Sequence, residues 1–136
     1  MLSLLLAAAL VTAQATTPAV QAPDTPAGRA LTEFVDSFNA GGQARQTWVE
    51  TRTTLAEASR GNILKMDAQV LQQYGPMSLL RVVSSTPEQV VAIVKHGKAD
   101  AHGHLTIDVE PTAPNKVVNM RMRGATPEEV KGGAGK

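Results

Sequence analysis

No cysteine occurs in the 136 residues, which excludes disulfides, thiol catalysis and thiolate metal sites. Aromatic residues are almost as scarce. Phe34, Phe38, Trp48 and Tyr74 make up the whole set, too few for base-stacking or carbohydrate platforms and poor in large interface anchors. An excess of one charge sign is missing too: 13 Lys and Arg against 12 Asp and Glu leave a formal +1, so no nucleic-acid partner is expected. The apolar runs are too short for a stable membrane span. The length suits one domain able to bury about two-thirds of its unfolded surface without crosslinks.

Residues 1–15 carry no charge, and Leu2 to Val11 are apolar apart from Ser3. The run ends in Ala13-Gln14-Ala15, small residues at the first and third positions of an Ala-x-Ala site. This pattern matches a secretory signal peptide cleaved after Ala15, with Ala22 as an alternative, and implies a periplasmic or secreted protein. Residues 16–24, rich in Thr, Pro, Ala and Gln, read as an exposed spacer.

Structure is expected from residue 25. Thr25 is suited to cap a helix that Pro26 opens, with Leu31, Phe34, Val35 and Phe38 as its buried stripe and Gly41-Gly42 at its end. A second helix is expected from Gln43 to Ala58, with Ala44, Trp48, Thr51 and Leu55 on one face and Arg45 on the polar one, closed by Ser59-Arg60-Gly61-Asn62. A third runs from Ile63 to Tyr74 and stops at Gly75-Pro76.

Beyond Pro76 the residues change to Val, Ile and Leu with short turns, predicting four strands: Leu79–Val83, Val90–Val94, Leu105–Val109 and Val117–Met122. Connections this short suit antiparallel neighbours, so the expected class is α+β, with N-terminal helices on one face of a four-stranded antiparallel sheet. The domain is expected to cover residues 25–127, followed by a flexible tail over 128–136. Leu105, Ile107 and Val109 alternate with His104, Thr106 and Asp108, and Val118, Met120 and Met122 with Asn119, Arg121 and Arg123. Leu79, Val83, Val91 and Ile93 read as apolar on the second sheet face, which with Arg121 and Arg123 makes that face a candidate for a homodimer or another exported protein.

The segments Thr25-Pro26-Ala27-Gly28-Arg29-Ala30-Leu31, Phe38-Asn39-Ala40-Gly41 and Leu79-Leu80-Arg81-Val82-Val83-Ser84-Ser85-Thr86-Pro87 carry a resemblance. The chain resembles the nuclear transport factor 2-like, or cystatin-like, accessory domain that precedes the catalytic domain of some exported bacterial serine hydrolases and tail-specific peptidases. The resemblance covers roughly residues 25–127 and implies a cone of helices on a curved sheet, without a catalytic motif. No Gly-x-Ser-x-Gly or Ser-x-x-Lys is present, so no serine hydrolase activity is implied.

His96, His102 and His104 surround one predicted hairpin. A register placing His96 across from His104, with His102 on the same face, would suit zinc or copper, but a one-residue shift destroys it, so no metal or other cofactor is expected. Such a cone can hold a pocket in which an acid transfers protons, and Asp36, Asp67 and Asp108 are the acids to inspect. Asp36 is expected on the outer face of its helix, and Asp108 beside Lys95 or Arg121 in a cross-strand ion pair. Trp48 reads as core or pocket wall, Tyr74 as the pocket's mouth. Two functions follow: an exported, non-catalytic binding or interaction module, which is preferred, and a small exported enzyme with Asp36 or Asp108 as general base.

Overall fold

The computed structural model describes residues 20–132. The expected signal peptide, with its Ala15 cleavage site, and the first part of the spacer lie outside the described residues, as do residues 133–136 of the expected tail. Three helices come first, α1 (Pro26–Ala40), α2 (Gly42–Arg52) and α3 (Glu57–Tyr74), then strands β1 (Met77–Ser85), β2 (Gln89–His96), β3 (His102–Val109) and β4 (Val117–Gly124), then a short helix α4 (Pro127–Lys131). The strands pair in chain order as an antiparallel meander, and the class is α+β, with the three long helices preceding the sheet.

α1 forms for the local reasons its sequence supplies. Thr25 Oγ1 accepts from the Gly28 amide at 3.0 Å, Pro26 occupies the first turn, and the chain leaves the helix at Gly41. Residue 28 must be glycine, because a Cβ there would lie 1.9 Å from the Pro23 carbonyl oxygen. That close approach corrects the reading of 20–24 as a wholly exposed spacer, since Ala22 also packs against the core. The C-terminal end of α1 is tied to the sheet by Asn39, whose amide donates to the Met77 carbonyl and accepts from the Met77 N–H.

α2 is shorter than its apolar spacing suggests, and its buried face is different. Arg45, Trp48 and Val49 are buried, while Ala44 and Thr51 are exposed. The helix stops at Arg52 because the backbone of Thr53 and Thr54 turns to the sheet: Thr53 bridges Val117, and the Thr54 N–H donates to the Val117 carbonyl at 3.0 Å. β-Branched Thr is a weak helix former, so the exchange costs little local stability. Ser59-Arg60-Gly61-Asn62, expected as a stop, lies inside α3, where a polar first half on an exposed surface needs no burial. α3 ends at Gly75, whose φ of +80° and contact with Lys98 leave no room for a side chain.

The core lies between α1, α2 and one sheet face, and joins Leu31, Phe34, Phe38, Trp48 and Val49 to Val90, Ala92, Val94, Leu105, Ile107, Val109 and Val117. Opposed residues of antiparallel strands share a face, so Met120 opposite Ile107 and Met122 opposite Leu105 face the helices too. A register shift after Asp108 pairs Val109 with Val117, so Val117 is buried and Val118, expected to share a face with Met120 and Met122, is exposed.

The four apolar residues assigned to the second face do not form one surface. Leu79 pairs with Val94 and packs against the core, on the helix side. Two register shifts in β1 separate it from Val83, which is exposed. Val91 and Ile93 do face the other way, but Ile93 is fully buried. The residues opposite Ile93 across the sheet are Arg81, His104 and, one strand further, Arg123, and all three reach Glu129 of α4. Arg123 holds the Glu129 carboxylate with two bonds of 2.7 and 2.8 Å, His104 Nε2 lies 3.3 Å from it, and Arg81 donates to the Glu129 carbonyl. The chain's own α4 therefore returns to this face at Arg81, His104 and Arg123, over residues 127–131 that sequence alone assigned to the domain's last residue and a flexible tail. A capping box between Thr126 and Glu129 makes the short helix form locally.

Candidate functional site

Between the helices and the inner sheet face lies a cavity of about 400 Å³. Its origin is a gap in the side chains of the sheet. Gly103 on β3 faces Gly124 on β4, so two adjacent inward positions carry no side chain. A Cβ on Gly103 would touch Val94 and Met122, whereas one on Gly124 would meet nothing within 4 Å. α3 roofs this space without burying any of its own residues, and Met66 and Met122 are both exposed beside it. The size and the mainly apolar lining, with few polar groups, are those of small-molecule sites.

Two buried polar side chains reach the cavity wall. Arg45 is 2% exposed; its Nε donates to Asp67 Oδ2 at 2.7 Å, and its Nη1 to Ser37 Oγ at 2.9 Å and the Phe34 carbonyl at 3.2 Å. The guanidinium carbon lies 4.3 Å from the centre of the Phe34 ring and 4.9 Å from that of Trp48, a cation surrounded by aromatic faces. Its remaining nitrogen, Nη2, has no partner. Burial lowers the Arg45 pKa from its ordinary value, and the Asp67 carboxylate opposes that.

His96 is the second. It is buried between Phe38 and Tyr74, with ring centres at 6.4 and 5.6 Å, and its Nδ1 has no partner. Burial pushes its pKa down, a backbone hydrogen bond with Gly75 pushes it up, and neighbouring His102 adds a smaller downward push. An unpartnered buried polar atom costs about 1–3 kcal/mol, and both of these lie beneath the cavity wall with almost no accessible surface of their own.

The expected site residues separate. Tyr74 lines the cavity, as does Asp67. Trp48 stays behind Phe34 in the core and donates to Glu33 Oε2 at 3.1 Å. Asp36 is exposed on the other side of α1, at a depression it shares with Leu31 and Leu79. Asp108 lies on the sheet face away from the cavity; in place of an ion pair with Lys95 or Arg121, it accepts from Gln89 and Asn119 at 2.8 and 2.9 Å. Among the three acids, only Asp67 is at the cavity, and Arg45 engages it.

The histidines do not assume the register a metal site needs. His96 stands opposite Met77, His104 opposite Ile93 and His102 opposite Lys95. Among the described residues no three His, Cys, Asp or Glu side chains converge on a point that could hold a metal.

Sequence reasoning passed over Arg45, placing it on the polar face of α2. A signal existed: Arg45 precedes Trp48 by three positions, which puts both on one helical face. His96 was singled out, but for metal binding. Comparison with protein-family models, with curated proteins and with solved structures finds no match for the chain.

Proposed function

We propose that this protein is an exported, non-catalytic binding module that takes up a small apolar ligand between its helices and the inner face of its sheet. The observation that carries the reading is the cavity itself, with its mainly apolar wall and its single carboxylate, Asp67, already engaged by Arg45 at 2.7 Å. The enzymatic alternative needs Asp36 or Asp108 within reach of substrate as its general base. Asp36 and Asp108 are both away from the cavity, which weighs against the enzymatic alternative. Export is supported by the uncharged apolar run over 2–11 and the Ala13-Gln14-Ala15 site. Among the described residues no helix is long and apolar enough to cross a membrane. The resemblance of residues 25–127 to the nuclear transport factor 2-like accessory domains belongs to this reading, and helices followed by a sheet are the order it implies.

The test is a titration with the neutral fluorescent probe N-phenyl-1-naphthylamine. One saturable site, lost when Gly124→Leu fills the cavity, is the expected result; no saturation, or binding indifferent to that substitution, would overturn the reading. N-terminal sequencing of the protein from the exported fraction tests the leader.

A further inference from the structure

An unpaired edge of the sheet runs along the cavity. β4 pairs with β3 on one side, and on the other it is met only at its start, where Thr53 bridges Val117 and the Thr54 N–H donates to the Val117 carbonyl. In the register that sets Gly103 beside Gly124, the Ala125 N–H donates to the His102 carbonyl at 3.0 Å. Bonded pairs alternate along an antiparallel ladder, so Arg123 and Arg121 exchange their bonds with His104 and Thr106, and the N–H and C=O of Met120 and Met122 point away from β3. Among the described residues neither methionine finds a backbone partner on that side. Residues 120–124 all line the cavity, although the Arg121 and Arg123 side chains share the outer face with Thr106 and His104, so the edge backbone itself borders the opening.

A strand laid along this edge alternates its side chains in step with β4. Those beside Met120 and Met122 face the helices and enter the cavity, where Gly124 leaves open space; those beside Arg121 lie on the outer face. The inner positions therefore call for apolar residues. The outer one calls for a carboxylate, since Arg121 is exposed and has no ion-pair partner among the described residues, whereas Arg123 is held by Glu129. A second copy of the chain does not fit this pattern, because antiparallel pairing of two β4 edges about Arg121 or Met122 sets arginine against arginine.

We infer that β4 binds an extended segment of another protein in which apolar residues alternate with acidic ones, its main chain bonded to Met120 and Met122, its apolar side chains in the cavity and its carboxylate on Arg121. The inference rests on the cavity taking up an apolar group, as proposed above, and names what carries that group.

The experiment titrates the 15N-labelled chain with two acetylated and amidated heptapeptides, Ser-Leu-Glu-Leu-Glu-Leu-Ser and the same sequence with Lys for Glu, and follows amide hydrogen exchange by NMR. The Glu peptide is expected to bind saturably and to slow exchange at Met120 and Met122 at least about tenfold, leaving Arg121 and Arg123, already bonded to β3, unchanged. The Lys peptide is expected to bind at least about tenfold more weakly, and Arg121→Glu to reverse that preference. Binding of the Glu peptide without slower exchange at both methionines overturns edge pairing, and equal binding of the two peptides overturns the acidic pattern. Exchange at the methionines that slows with rising protein concentration, without peptide, makes a second copy the occupant and overturns the inference too. No binding of either peptide also overturns it; the cavity's binding role stands if N-phenyl-1-naphthylamine still binds the same sample saturably, and falls with it if the probe does not.

Discussion

Arg45 on α2 and Asp67 on α3 are joined at 2.7 Å, with side chains only 3% and 16% exposed. α3 has no fully buried residue, and this pair, with Ile63, Leu64, Val70 and Leu71 packed against the core, attaches it to the rest of the molecule. Asp67→Asn strands a buried guanidinium charge, and a loss of about 2–4 kcal/mol is expected, somewhat below the range for fully buried pairs because Asp67 is partly solvated. Urea unfolding monitored by Trp48 fluorescence measures it as a lower midpoint. The double change Arg45→Met with Asp67→Leu is expected to recover most of the loss; no recovery would mean that the pair contributes more than charge compensation.

His96 gives the fold a dependence on pH. Its pKa is lowered in the folded protein, chiefly by burial, so the unfolded chain binds the proton more readily. The associated stability is complete above the ordinary histidine value of about 6.5 and declines as pH falls from there through the lowered folded value. Thermal midpoints from pH 7.5 to 5 are expected to fall, and His96→Phe to flatten that slope. An equal slope in the variant would assign the dependence to other groups.

Glu129 acts as the clamp of α4 on the outer sheet face. Arg123, together with the Thr126 backbone, lowers its carboxyl pKa to about 2. A lowered carboxyl contributes stability above its unfolded value of about 4.5, and that contribution disappears as pH falls through about 2. Hydrogen exchange at residues 127–131 is therefore expected to keep its protection at pH 4. Glu129→Gln is expected to remove that protection at every pH and to raise binding of an apolar dye as Ile93 becomes accessible. Unchanged exchange would mean that packing of Val130 and the sheet, not the carboxylate, holds the helix.

Asn39 joins the end of α1 to the first residue of β1 with two hydrogen bonds, 2.8 Å to the Met77 carbonyl and 2.7 Å from its N–H. Asn39→Ala leaves both backbone groups without partners and is expected to cost about 1–3 kcal/mol. Asn39→Asp keeps the acceptor and loses the donor, so its midpoint in urea is expected between those of Ala and the native residue. Equal effects of Ala and Asp would show that the Met77 carbonyl bond carries the whole contribution.

Much of the architecture follows from short-range preferences. Thr25-Pro26 starts α1 and Gly75 ends α3 because capping, a fixed proline φ and a positive glycine φ act within a few residues. The Val- and Ile-rich runs separated by short turns likewise lead to a four-stranded antiparallel meander. The helix boundary at residues 53–56 was not legible in this way, since Thr53 leaves the helix to bridge Val117, sixty-odd positions along the chain.

The candidate site was legible only in fragments. Tyr74, Asp67 and His96 could be named as residues with chemistry to offer, yet Arg45 was placed on the polar face of α2, and of the two readings of Trp48, core or pocket wall, the structure bears out the core. The cavity depends on Gly103 meeting Gly124, and that pairing is a matter of register between β3 and β4. The outer face depends on α4 returning to Arg81, His104 and Arg123, contacts from three different strands.

The sequence by itself determined the types and order of the three long helices and four strands, and with them the α+β class, because hydrophobic period, caps and turn residues express free energies that operate over a few residues. Tertiary structure alone decided which side chains face the cavity, that Arg45 is buried against Asp67, and that α4 returns to Arg81, His104 and Arg123 beside the buried Ile93. Those outcomes depend on strand register and on contacts between distant segments, where a shift of one residue exchanges the two faces of a strand and with them the identity of the site.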